Sequence, residues 1–239
     1  MNDFAPERRV IAAALRLAER GPWRDVSMND IAVEAGEPLD KMRDLFKTKG
    51  AIIKAFIRET DAEVLAQAPK KVENETARDR LFEVIMNRFD ALNAHKGAVR
   101  SIAEQGSLDQ DIFQGFMASQ AWMLNAAGVP TDGLGGRVRV SGLASIYAAV
   151  FRTWLQDDDP GMARTMAALD RRLRRGERAY KRLEDVRQGA ERMGETLSGL
   201  FDRLKARGAS PRDEATTQSP PPQGQAAPPP PPPATPPTA

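Results

Sequence analysis

Across 239 residues, 35 lysines and arginines stand against 33 aspartates and glutamates, a formal net charge of +2, too small a surplus to mark a nucleic-acid binder by itself. With no cysteine there are no disulfides or thiolate metal sites, and a single histidine, His95, removes HExxH, histidine-cluster and Ser-His-Asp chemistry. No enzyme, metal or cofactor is expected from that inventory. MNDFAPERRV carries no basic segment followed by an apolar run, and no apolar stretch reaches the ~18 residues of a membrane span, so the cytoplasm is the expected compartment.

In chain order, Val10, Ile11, Ala14, Leu15, Leu17 and Ala18 recur at three- and four-residue steps and predict an amphipathic helix over residues 7–20. Gly21-Pro22 ends it, and Trp23 is placed to close the bottom of a small helical core. Ser27 with Asp30 reads as an N-cap with an acidic first turn, opening a short helix that Gly36 terminates. Pro38 suits a first helical position, so a third helix is expected from there through Met42 and Leu45 to Phe46. Two short helices about a glycine turn make a helix-turn-helix.

Longer helices follow. One starts near Lys49 and carries Ile52, Ile53, Phe56, Ile57 and Val64, up to Pro69; the next carries Leu81, Val84, Ile85, Phe89 and Leu92 and stops near His95, expected to be a cap or surface residue. Two more are predicted over residues 98–104 and 109–127, then a glycine-rich break over 128–136. Residues 138–155 are apolar on more than one face, which suits a helix packed on two sides, and the Asp157-to-Pro160 turn leads into a last body helix over residues 162–187. Beyond it, Met193, Leu197, Leu200, Phe201 and Leu204 form an apolar stripe behind a dense basic run from Arg171 to Arg182, while most of the 18 prolines fall after Ser210 in a stretch too poor in apolar side chains to fold. The expected organisation is all-α: a helix-turn-helix head (1–58), a helical body (59–183), an extra amphipathic helix (184–207) and a disordered proline-rich tail (208–239).

The stretch RRVIAAALRLAERGPWRDVSMNDIAVEAG, with LFKTKGAIIKAF after it, resembles the DNA-binding head of TetR-family transcriptional regulators. That resemblance implies a TetR-like fold, a homodimer, DNA as partner, and a ligand-binding body. The implied DNA-contact set is Ser27, Lys41, Arg43, Lys47 and Lys49. Where family members commonly carry a Tyr and a His against phosphates, this chain has Arg43 and Leu45, and Glu37, Asp40 and Asp44 place acidic groups on or beside the same helix, opposing the phosphate backbone. From Trp122 through the glycine loop, then GLASIYAAVFRTWLQDDDPGMARTMAALDRRL, the body is similar to the TetR-fold accessory proteins of coenzyme Q (ubiquinone) biosynthesis, which bind lipid instead of operator DNA.

Two readings follow. The favoured one is a regulator that responds to an apolar small molecule held by Phe89, Trp122, Tyr147, Phe151 and Trp154, because the helix-turn-helix spacing with Lys47 and Lys49 is the more specific signal. The other is a lipid-binding accessory protein whose Met193, Leu197, Leu200, Phe201 and Leu204 face makes peripheral membrane contact. Plain core packing is the ordinary role for each aromatic of the first set, and a solvated face the ordinary role for the basic run. The homodimer is expected through residues 138–155 and 162–173, whose apolar surface needs more than one partner.

Overall fold

Local signals account for the front of the molecule, which the computed structural model describes, with the rest of the chain, over residues 6–68, 75–104, 109–182 and 185. Helix α1 (Pro6–Arg20) buries Val10, Ile11, Ala14, Leu15 and Ala18, the stripe read from the sequence. A short 3-10 turn, Trp23–Asp25, follows, with Trp23 buried beneath the head. Helix α2 (Met28–Ala35) opens on a reciprocal cap: the Asp30 amide donates to Ser27 Oγ at 3.1 Å and the Ser27 amide donates to Asp30 Oδ2 at 2.8 Å. Gly36 closes it at φ 67°, a left-handed conformation that a side chain would strain.

Helix α3 (Leu39–Leu45) begins one residue later than expected, with Pro38 at the extended cap position. Arg16 and Arg20 both donate to Glu34, tying α1 to α2. Helix α4 (Lys49–Ala66) starts where the Thr48 hydroxyl accepts the Ala51 amide at 3.0 Å, and it continues through residue 58, the boundary expected between head and body. One helix therefore serves both: head and body fall within one unit, Met1–Val186, and share a core running from Val10 to Leu173.

The body comprises α5 (Ala77–Asn93), α6 (Lys96–Glu104), α7 (Gln110–Ala126), α8 (Gly133–Leu155) and α9 over residues 163–182. Helix α4 packs along α7 and α5, α1 packs against α2 and α6, and α7 also meets α8. Helix α8 begins at Gly133, five residues before the expected start. The glycine cluster read as a break is partly a tight first turn: a Cβ at Gly136 would overlap the Thr131 carbonyl, so only glycine lets the chain fold back there. Among the described residues there is no strand and no helix long and apolar enough to cross a membrane. Met193, Leu197, Leu200, Phe201, Leu204 and the proline-rich tail lie outside them.

Candidate functional sites

The first surface is α3 with the turn behind it. Met42 and Phe46 point into the head's core, and the helix periodicity consequently turns Asp40, Lys41, Arg43 and Asp44 to solvent, with Lys47 exposed just beyond. Arg43 and Asp44 approach at 3.7 Å, but both side chains are more than three-quarters exposed, a pairing worth little. Glu37, counted from the sequence among the acids facing DNA, is buried instead and accepts from Arg9 Nε at 3.0 Å. The exposed face is less acidic than the sequence suggested. It also carries Leu39, 53 % exposed, an apolar side chain of the kind that meets thymine methyl groups; its place in a predicted helix gave no sign of this.

Two of the five expected DNA-contact residues are engaged elsewhere. Lys49 is corrected: its ammonium donates to the carbonyls of Trp23 at 2.8 Å and Val26 at 2.6 Å and sits 4.7 Å from the Trp23 ring, so it fastens the 3-10 turn to the start of α4. Burial lowers its pKa, opposed by the Asp25 carboxylate. The Ser27 hydroxyl, although exposed, donates to Asp30 Oδ2 at 2.7 Å within the α2 cap, and this bond holds the Asp30 carboxyl below the ordinary range.

The second site is a cavity of about 460 Å³ in the body, with Ile53, Phe56, Phe116, Tyr147 and Phe151 in its wall. Of the expected ligand residues, Phe89, Tyr147, Phe151 and Trp154 form one cluster, with Phe89 stacked on Tyr147 at 5.1 Å and on Trp154 at 5.5 Å. Only Tyr147 and Phe151 reach the cavity; Phe89 and Trp154 are fully buried behind them. Trp122 is a correction: it lies 55 % exposed on α7 and takes no part in the wall, because the turn of α7 that buries Met123 and Leu124 turns its neighbour outward.

Behind Tyr147 lies a polar network that sequence reading missed. Arg88 Nε donates to the Tyr147 hydroxyl at 3.1 Å, an Arg88 terminal nitrogen pairs closely with Asp61, and Ser119 Oγ donates to Asp61 at 2.8 Å. Burial raises the Asp61 pKa despite Arg88 and Ser119, and burial likewise raises that of Tyr147, keeping the phenol neutral. The clue was available: Arg88 falls on the apolar stripe of α5 between Leu81, Val84, Ile85 and Leu92, where an arginine must find a partner.

Helix α6 joins the two sites. Its Val99 and Ile102 line the cavity, while Ser101 Oγ donates to the Gly21 carbonyl at 2.9 Å and accepts the Trp23 amide at 3.1 Å, on the turn that Lys49 also grips. Lys96 and Arg100, from the same helix, donate to the carbonyls of Asp157 and Leu155 at the end of α8. His95, at the head of α6, is half-buried with its ring edge-on to Phe56 at 5.6 Å.

No family model and no curated protein matches the sequence. Solved structures do match the fold. A TetR transcriptional regulator from Nitrosomonas europaea superposes with a TM-score of 0.57 at 24% identity, over 72% of this chain and 97% of that one. A TetR regulator from a Rhodococcus species gives 0.54 at 19%, over 71% and 96%, and a TetR-family regulator from Streptomyces coelicolor gives 0.53 at 17%, over 88% and 100%. The chain has the all-α fold of these TetR transcriptional regulators. The likeness of the body to coenzyme Q accessory proteins gains nothing from them.

Proposed function

We propose that the protein is a homodimeric DNA-binding transcriptional regulator whose body holds an apolar small molecule. The observation that carries this reading is the path through α6: one helix contributes to the cavity wall and hydrogen-bonds the turn beneath the helix-turn-helix. A ligand that displaces Val99 or Ile102 moves the scaffold on which α3 is mounted, which is the differential interaction a ligand needs to shift a conformational equilibrium. Lys41 and Lys47 serve as phosphate contacts, Arg43 and Leu39 as base-edge contacts. The dimer forms through α8 and α9, where Val138 and Met166 remain exposed at 49 % and 39 %; two copies read two half-sites.

The test is selection from a random duplex library at low salt with the full chain. An enriched inverted repeat is expected, with affinity falling as salt rises and the fall about one unit shallower on a log–log plot for Lys47→Ala. A library from which no sequence is enriched overturns the regulator reading, as does a strictly monomeric mass at micromolar concentration for the dimer.

A further inference from the structure

The end of α8 and the facing side of α9 form a cleft of about 610 Å³ lined by Arg152, Arg164, Arg171, Arg172 and Arg175, with Thr153 and Gln156 and, among the described residues, no carboxylate in its wall. None of these five arginines has an ion-pair partner among the described residues, unlike Arg174, which is held by Asp170 at 2.9 Å. Asp157, on the connecting turn, faces inward and accepts the Thr165 amide and hydroxyl at 2.8 and 2.7 Å, and Arg164 reaches it only through space. Five like charges in one concavity repel one another, and an anion that bridges them removes that repulsion while gaining bidentate contacts.

The apolar cavity and the cleft meet at one residue, for Arg152 stands in the wall of both. On α9 the arginines span residues 164–175, about 16 Å at the rise of an α-helix, longer than one phosphate group. We propose that the two form a composite site for an amphiphile with an apolar chain and an extended head bearing several phosphates, of the nucleotide-linked kind, with the chain against Tyr147 and Phe151 and the head along Arg152, Arg171 and Arg175. This rests on the ligand-binding reading above and specifies its ligand class.

Calorimetry on the full-length protein with three probes tests it: tetradecanoyl-coenzyme A, free tetradecanoate and free coenzyme A. If one site accepts both ends, the linked probe binds at least about tenfold more tightly than either part, because the second contact is then intramolecular. The Arg171→Glu/Arg175→Glu variant, exposed positions that fill no core, removes that gain and leaves tetradecanoate binding unchanged. Phe151→Arg, which puts a charge into the apolar wall, abolishes tetradecanoate binding and leaves coenzyme A binding in place. A linked probe no tighter than tetradecanoate, or one insensitive to the double variant, overturns the composite site while leaving the apolar ligand reading intact. Failure of the wild type to bind tetradecanoate overturns that reading and the composite site with it. Binding of the wild type to vesicles of anionic phospholipid, undiminished by competing tetradecanoyl-coenzyme A, assigns the arginines to a membrane surface and overturns it as well.

Discussion

The cations of α3 and those of α8 and α9 occupy opposite electrostatic settings. On α3 and just beyond it, Lys41, Arg43 and Lys47 alternate with Asp40 and Asp44, whereas the cleft gathers five arginines with no acid among the described residues of its wall. A third setting lies between them, where Arg88 is buried and balanced by Asp61. The comparison teaches that a net charge of +2 describes none of these places. What a cation does depends on whether a counter-charge within reach has already been matched to it: buried and paired it holds the fold, exposed among acids it tunes a weak field, and exposed alone it invites an anion.

The buried pair offers the largest effect. Arg88→Met leaves the Asp61 carboxylate in the interior without its counter-charge, and a loss of about 3 kcal/mol is expected in urea unfolding followed by circular dichroism. Neutralising Lys41 or Lys47 leaves the unfolding midpoint within about 0.5 kcal/mol of the wild type. Equal losses from the buried and exposed positions would erase the distinction.

Lys49 sharpens the contrast within the head. Its two bonds to backbone carbonyls are of the charged kind, so Lys49→Met is expected to cost about 2 kcal/mol of stability. On the proposed DNA-binding reading, Lys47→Ala is expected to weaken DNA binding without shifting the melting temperature. Thermal unfolding and duplex titration of the two variants separate the roles; a Lys49→Met protein that melts like the wild type returns Lys49 to the proposed DNA-contact set.

A smaller effect is expected at the α2 cap, where Ser27→Ala removes a bond to the Asp30 amide and costs about 1 kcal/mol. The pH dependence is smaller still and has two signs. The carboxyls of Asp30 and Asp79 are lowered by hydrogen bonds from Ser27 and Thr76, so their contribution is present above the ordinary value of 3.8 and is lost as pH falls through the lower folded values. Asp61 is raised by burial, so its contribution is full below 3.8 and is lost as pH rises through the folded value. Asp30→Asn should flatten the acid side of a stability profile below 3.8, and Asp61→Asn should flatten only the region above it. A single common change in both variants would show that the two carboxyls share one environment.

The sequence by itself determined the elements that depend on neighbours within a turn or two. The α2 cap, the Gly36 stop, the α1 stripe and the buried Trp23 all follow from adjacent side chains and backbone sterics, and the TetR-like architecture follows from their order. Tertiary structure alone decided where polar side chains spend their charge. Lys49 sits at a helix start beside other lysines, and nothing local distinguishes it from Lys47; the Trp23 and Val26 carbonyls that capture it are brought close only by the packed head. Glu37 is withdrawn by an arginine 28 residues away, and Arg88 is answered by an aspartate 27 residues away. Helix periodicity marks which side of a helix is buried but not what lies opposite, so Trp122 and Tyr147 look alike in the sequence and part company only when α7 and α8 are set against their neighbours.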